Sequence, residues 1–223
     1  MTVLLVVLSL AILILIDYAW SRKRVTVVGP NPVTINCPIF KTQSECGYGV
    51  RLPENIRYHP GHTWALRESP TLVRVGIDDL AARMIGRAET IELPKRGQWI
   101  RQGQKIVSIF NDGRKTELVS PIEGEVTGVN EAAMDNPGLL GSDPYGKGWL
   151  LTVISPDAET NFRNLLGGDP ARQWMAEEES RLSARMPALT AVAAQDDGKE
   201  TSDVSLPVSG QSWTELRREF FLV

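Results

Sequence analysis

From Ile56 onward, apolar and polar residues alternate in short runs. Leu72-Val73-Arg74-Val75, Glu89-Thr90-Ile91-Glu92-Leu93 and Lys105–Phe110 are three of them. Glu117–Val119, Gly124–Val129 and Trp149–Ile154 continue the series. A period of two marks strands that bury one face. Gly, Pro and Asn-Asp-Gly punctuate the runs, as in a compact all-β sandwich or barrel. Three helices interrupt or follow the strands. The first covers Asp78–Ile85 with Gly86 as terminator, and the second runs Asp157–Leu166 until Gly167-Gly168 stops it. The third has Asp169 as cap and Pro170 in its first turn, and covers Arg172–Arg185 up to Pro187.

Upstream the pattern is different. Met1 to Ile16 carries no charged side chain, and with Tyr18, Ala19 and Trp20 the apolar segment is long enough to cross a bilayer, which takes about 20 residues. Tyr18 and Trp20 suit the headgroup boundary, and Arg22, Lys23 and Arg24 follow at once. A cleaved export signal has the reverse layout, with positive charge before the apolar core. An uncleaved, single-pass anchor in the cytoplasmic membrane, with the remainder facing the cytoplasm, is therefore expected; an export signal is the rival reading. Gly29-Pro30, Pro32, Pro38, Gly47, Gly49 and Pro53 then break up an irregular tether that holds at most a short strand at Val25–Val28.

Downstream, Ala188 to Gly210 is rich in Ala, Asp, Ser, Gly and Thr, too polar to bury a core. Ser212-x-x-Glu215 is a capping-box pattern opening a last helix, with Trp213, Leu216 and Phe220 on one face. A helix this short needs a surface to dock on: its own domain, a membrane, or a partner. The expected divisions are a transmembrane anchor (1–20), a tether (21–55), a β domain (56–186), a disordered linker (187–211) and an amphipathic helix (212–223).

Charge narrows the function. With 24 basic and 27 acidic residues the chain has a formal charge of −3, and no basic stripe interleaved with aromatics is visible. Nucleic acid is thus excluded as an expected partner. Cys37 and Cys46, with His59 and His62 downstream, are candidates for a metal or redox site. Their spacing departs from that of zinc modules, whose cysteines lie two to four apart. Two thiols and two structural histidines are the plainer reading. No nucleophile–base pair, paired carboxylates or phosphate-binding glycine loop is present, so no enzymatic activity is expected.

Ordered motifs between Tyr58 and Glu177 carry a resemblance. Tyr58-His59-Pro60-Gly61-His62-Thr63-Trp64 is similar to the opening of the glycine cleavage H-protein family, with Thr63 where the family has Glu. Val75-Gly76-Ile77-Asp78-Asp79-Leu80-Ala81 resembles its strand-to-helix step, and Glu92-Leu93-Pro94, Gly97 and Gly103 its following turns. Ser120-Pro121-Ile122-Glu123-Gly124-Glu125-Val126 resembles the family's Ser-Pro-Val-Ser-Gly-Glu-Val. Asn130, Asn136-Pro137 and Asp143–Trp149 complete the match. The resemblance implies a mainly β lipoyl/biotinyl-like barrel-sandwich hybrid with short helices.

It also implies a lipoyl-lysine at a hairpin tip, within a Glu-Ser-Val-Lys-Ala segment. Counted without gaps from Gly103 to Pro121, that lysine falls on Gly113. Asp112-Gly113 is a strong type I′ turn signal, so the hairpin is expected to persist without its amine. Lys115, opposite Phe110 and one pair back from the tip, is the alternative attachment site for lipoate; its plain reading is a solvated strand cation. Two functions follow. One is a non-lipoylated interaction or scaffold module without a cofactor, serving a glycine-cleavage-like or membrane enzyme complex. The other is a lipoyl carrier that uses Lys115. An export-pump adaptor is the third class considered, but Phe110–Glu117 leaves no room for the long helical hairpin such chains insert.

Overall fold

The computed structural model describes residues 43–45, 49–193 and 210–222. Met1–Trp20, Val25–Val28, Cys37 and Cys46 lie outside the described residues, and with them the expected anchor, first strand and cysteine site. Among the described residues no helix is long and apolar enough to cross a membrane, and no group of His, Cys, Asp or Glu could hold a metal ion.

The chain forms mainly β structure with short helices. β1 (Gln43–Glu45) and β2 (Arg51–Pro53) form a small antiparallel pair. This corrects the expectation of an irregular tether up to residue 55. The segment before Pro53 gains order by burying Val50 and Leu52 in the core, and the Arg51 N–H and guanidinium both donate to Asp79, at 3.1 and 2.8 Å.

Two sheets carry the core. One runs in the order β3 (Arg57–His59), β4 (Thr63–Arg67), β5 (Leu72–Ile77), β11 (Leu151–Ile154), β10 (Gly124–Val129), β7 (Trp99–Ile100). The other is β6 (Thr90–Glu92), β8 (Lys105–Asn111), β9 (Arg114–Val119). The alternation legible in the sequence becomes inward-facing Trp64, Val73, Val75, Ile109, Leu118 and Val153, all buried. Trp64 donates its indole N–H to the Ile77 carbonyl at 2.7 Å, so the largest core side chain leaves no orphan donor. Tyr145 donates to the Arg51 carbonyl (2.7 Å) and accepts from the Asp79 N–H (3.1 Å). Burial pushes its phenol well above the ordinary range, so it remains a neutral bridge between loop and helix.

Helix α1 (Asp79–Ile85) starts where its cap dictates: Asp78 accepts from the Ala81 N–H at 2.8 Å, and Gly86 ends it at positive φ. Two short helices follow, α2 (Glu131–Asp135) and α3 (Leu139–Ser142). The second expected helix is shorter than the sequence implied: α4 covers Ala158–Arg163 only. Leu166 is drawn out of helical geometry by exchanging two backbone hydrogen bonds with Tyr58, each 2.8 Å. The third is longer: α5 runs Asp169–Ala193, through Pro187 and into the stretch expected to be linker. Helix α6 (Gly210–Phe220) begins two residues before Ser212, so Ser212 lies within the helix and is not its cap.

Of the three surfaces open to α6, the structure uses its own domain. Trp213, Leu216 and Phe220, with Phe221 just beyond, are buried in the common core. Glu219 holds α6 to α5 through Arg181 (3.2 Å) and Arg185 (2.8 Å), and the Arg181 guanidinium lies 5.2 Å above the Phe220 ring.

Candidate functional site

The β8–β9 hairpin places the residues that the sequence brought forward. Its register pairs Asn111 with Arg114 and Phe110 with Lys115, which leaves Asp112-Gly113 as the two-residue tip. Both tip residues have positive φ, 47° for Asp112 and 68° for Gly113, as a type I′ turn requires. A Cβ at Gly113 would meet nothing within 4 Å, so the position faces open space.

Lys115 lies one pair back from that tip, with its side chain 44 % exposed. Its ammonium is 3.1 Å from Glu117, whose other carboxylate oxygen is 3.2 Å from the Lys105 ammonium. Hydrogen bonds from Lys115 and then Lys105 hold the Glu117 carboxyl below its ordinary value. An exposed pair of this kind is worth under about 1 kcal/mol, so it orients the amine without locking it.

Residues that the sequence did not bring to the hairpin hold its flanks. On one side the Asn111 amide donates to the Ile85 carbonyl at the end of α1, and the Glu89 N–H donates to the Phe110 carbonyl at 2.8 Å. On the other, β9 is the edge of its sheet, and α6 lies along it. Arg217 donates to the Lys115 carbonyl at 2.8 Å, and the Arg114 guanidinium stacks 5.9 Å from the Trp213 ring. Covering an edge strand with a helix removes a template for unwanted strand pairing. The sequence signalled this helix through its apolar spacing, but nothing in a local pattern announces a seat roughly a hundred residues upstream.

His62 is fully buried beneath the end of α6. Its Nδ1 lies 2.8 Å from Asp78, the same carboxylate that caps α1, and its ring is 5.1 Å from Trp174 and 5.9 Å from Phe221. The structure thus gives His62 a packing role between turn, helix cap and aromatic cluster. His59 accepts from the Gly61 N–H through Nδ1 at 3.0 Å, which requires that nitrogen to be unprotonated. Burial first, and the nearby His62 second, push its imidazole below the ordinary range.

Among the described residues, the buried apolar strands lie under the β8–β9 hairpin, and no group of His, Cys, Asp or Glu gathers at its tip. The model of the glycine cleavage H-protein family matches residues 56–178, more than half the chain. The glycine cleavage system H protein of Anaeromyxobacter sp. (strain K) is 32 % identical over 130 residues, which cover 58 % of this chain and all of that protein. The one from Thermobifida fusca is 40 % identical over 105 residues, covering 47 % of this chain and 82 % of its own length. A crystal structure of a glycine cleavage system H protein from Mycobacterium marinum aligns with a TM-score of 0.48 at 26 % identity, covering 57 % of this chain and 99 % of that one. The chain belongs to the glycine cleavage H-protein family. Residues 1–55 and 179–223 lie outside the matched span.

Proposed function

We propose that this protein is a membrane-anchored H-protein-like module that is not lipoylated and works as a protein-interaction scaffold. The observation that carries this reading is the hairpin tip. By gap-free counting the position that would bear a lipoyl-lysine is Gly113, which has no amine to acylate. Among the described residues the lysine nearest the tip in the hairpin is Lys115, which starts one strand pair back and points its ammonium at Glu117. A ligase that reads an amine at the turn itself meets none.

The anchor reading rests on the uncharged run from Met1 to Ile16 and the Arg22-Lys23-Arg24 cluster behind it, which favours a cytoplasmic orientation. The partner in this scheme is a protein of a glycine-cleavage-like or membrane enzyme complex. Intact-mass measurement on protein isolated from its own host tests the central point. An unmodified mass is expected, and a lipoyl adduct mapped to Lys115 overturns it. Deletion of residues 1–20 should shift the protein from the membrane to the soluble fraction; unchanged membrane association refutes the anchor.

The second reading, a lipoyl carrier of the glycine cleavage system with Lys115 as displaced attachment site, is favoured by one feature. The Lys115 side chain is substantially exposed and its ion pair is weak enough to release the amine.

A further inference from the structure

A cleft of about 710 Å³ opens between the β3–β4 pair, α4 and the first residues of α5, and no hairpin residue lines it. Its lining combines apolar groups, Phe162, Leu165, Leu166 and Pro170, with three arginines. Arg57 comes from β3, Arg67 from β4 and Arg163 from the last turn of α4. In the β3–β4 register Arg57 stands opposite Ala65, two residues from Arg67, so both arginines project from the same sheet face.

The charges in this cleft do not cancel. Two carboxylates line it, and both are engaged: Glu159 with Arg67 at 3.0 Å, and Glu54 with Arg172 at 3.3 Å. Arg57 and Arg163 have no carboxylate within ion-pair distance among the described residues. A local cationic surplus thus sits on a chain whose net charge is −3. The placement is also built. The Arg67 guanidinium stacks 4.5 Å from the centre of the Phe162 ring. Arg57 lies against the main chain at Gly167, where an added Cβ would fall 1.5 Å from its Nη1. A side chain at residue 167 would displace the guanidinium from this position.

We propose that this cleft binds a small organic anion, a carboxylate or phosphate ester carried on an apolar or aromatic body. Arg57 and Arg163 hold the charged end, for which the flat guanidinium fork is suited. The body rests on Phe162 and the leucines beside it. Nothing in this depends on whether the hairpin is lipoylated.

Calorimetric titration of the full-length chain tests the assignment, with phenyl phosphate and benzoate as ligands and inorganic phosphate and benzamidine as comparisons. Phenyl phosphate or benzoate should bind with Kd of about 1 mM or tighter, as suits a ligand of this size. Whichever binds tighter identifies the charged group the site prefers. Added salt should weaken the binding, benzamidine should not bind, and inorganic phosphate should bind at least about tenfold more weakly for want of a body. Arg57→Gln combined with Arg163→Gln should lose at least about tenfold in affinity. Glu159→Gln, which removes a carboxylate and frees Arg67, should tighten binding severalfold. The double variant binding like the parent, or Glu159→Gln failing to tighten it, overturns the proposal. So does inorganic phosphate matching the aryl ligands, or benzamidine matching them. The two sets of substitutions act in opposite directions, so a general loss of folding cannot imitate the expected pair of results.

Discussion

Gly113→Lys is the sharpest probe of the hairpin. The substitution adds a primary amine at a tip where a Cβ meets no atom within 4 Å, so no steric clash opposes it. The cost is in the backbone. Gly113 sits at φ 68°, and placing an L-residue in left-handed geometry costs about 1–2 kcal/mol. For a domain of this size that corresponds to a fall in Tm on the order of 5 °C, with the hairpin register intact. The variant should then accept lipoate from a competent lipoate–protein ligase in vitro, while the parent chain does not. Intact mass, followed by peptide mapping, reads both outcomes. A folded Gly113→Lys protein that stays unmodified would show that more than an amine separates this tip from a carrier. Modification of the parent at Lys115 would refute the reasoning from register altogether.

Phe220→Ala removes a fully buried ring and should cost about 3–5 kcal/mol locally. Hydrogen exchange should show loss of protection across α6 while the β8–β9 ladder stays protected; equal loss in both would mean that helix and sheet unfold as one unit. Lys115→Met should raise the midpoint at which Glu117 titrates, because the largest influence holding that carboxyl down is the Lys115 hydrogen bond; an unmoved carboxylate signal in an NMR titration would contradict the ion pair. His59 has a folded-state value below its ordinary 6.5, so the unfolded chain binds the proton more readily. Its contribution to stability is complete above about pH 6.5 and is lost as pH falls from there, levelling off below the folded value. Urea midpoints of His59→Gln should therefore fall less between pH 7 and 5 than those of the parent.

Much of the β domain was legible because its signals are local. The Asp112-Gly113 turn and its alternating flanks fixed the β8–β9 register, and Asp78 and Gly86 marked both ends of α1. One expected element failed because a distant partner overrode the local signal, and another outran its stop signal. Asp157–Leu166 read as one helix, yet Tyr58 captures the backbone of Leu166 and shortens it. Pro187 read as a stop, yet α5 continues to Ala193. At the site, Gly113 and Lys115 came forward through the family resemblance, by counting from Gly103 to Pro121. The roles of Asn111 and Arg217 did not, since each donates to a carbonyl in another part of the fold.

The clamps on the two flanks of the hairpin have one more consequence. Tied to Ile85 through Asn111 and to α6 through Arg217, the ribbon is anchored on both flanks of its tip. On the scaffold reading, a visiting protein would spend little free energy ordering it, and in return would gain little freedom to mould it. Discrimination between visitors would then come from how well their own contours match a shape already set.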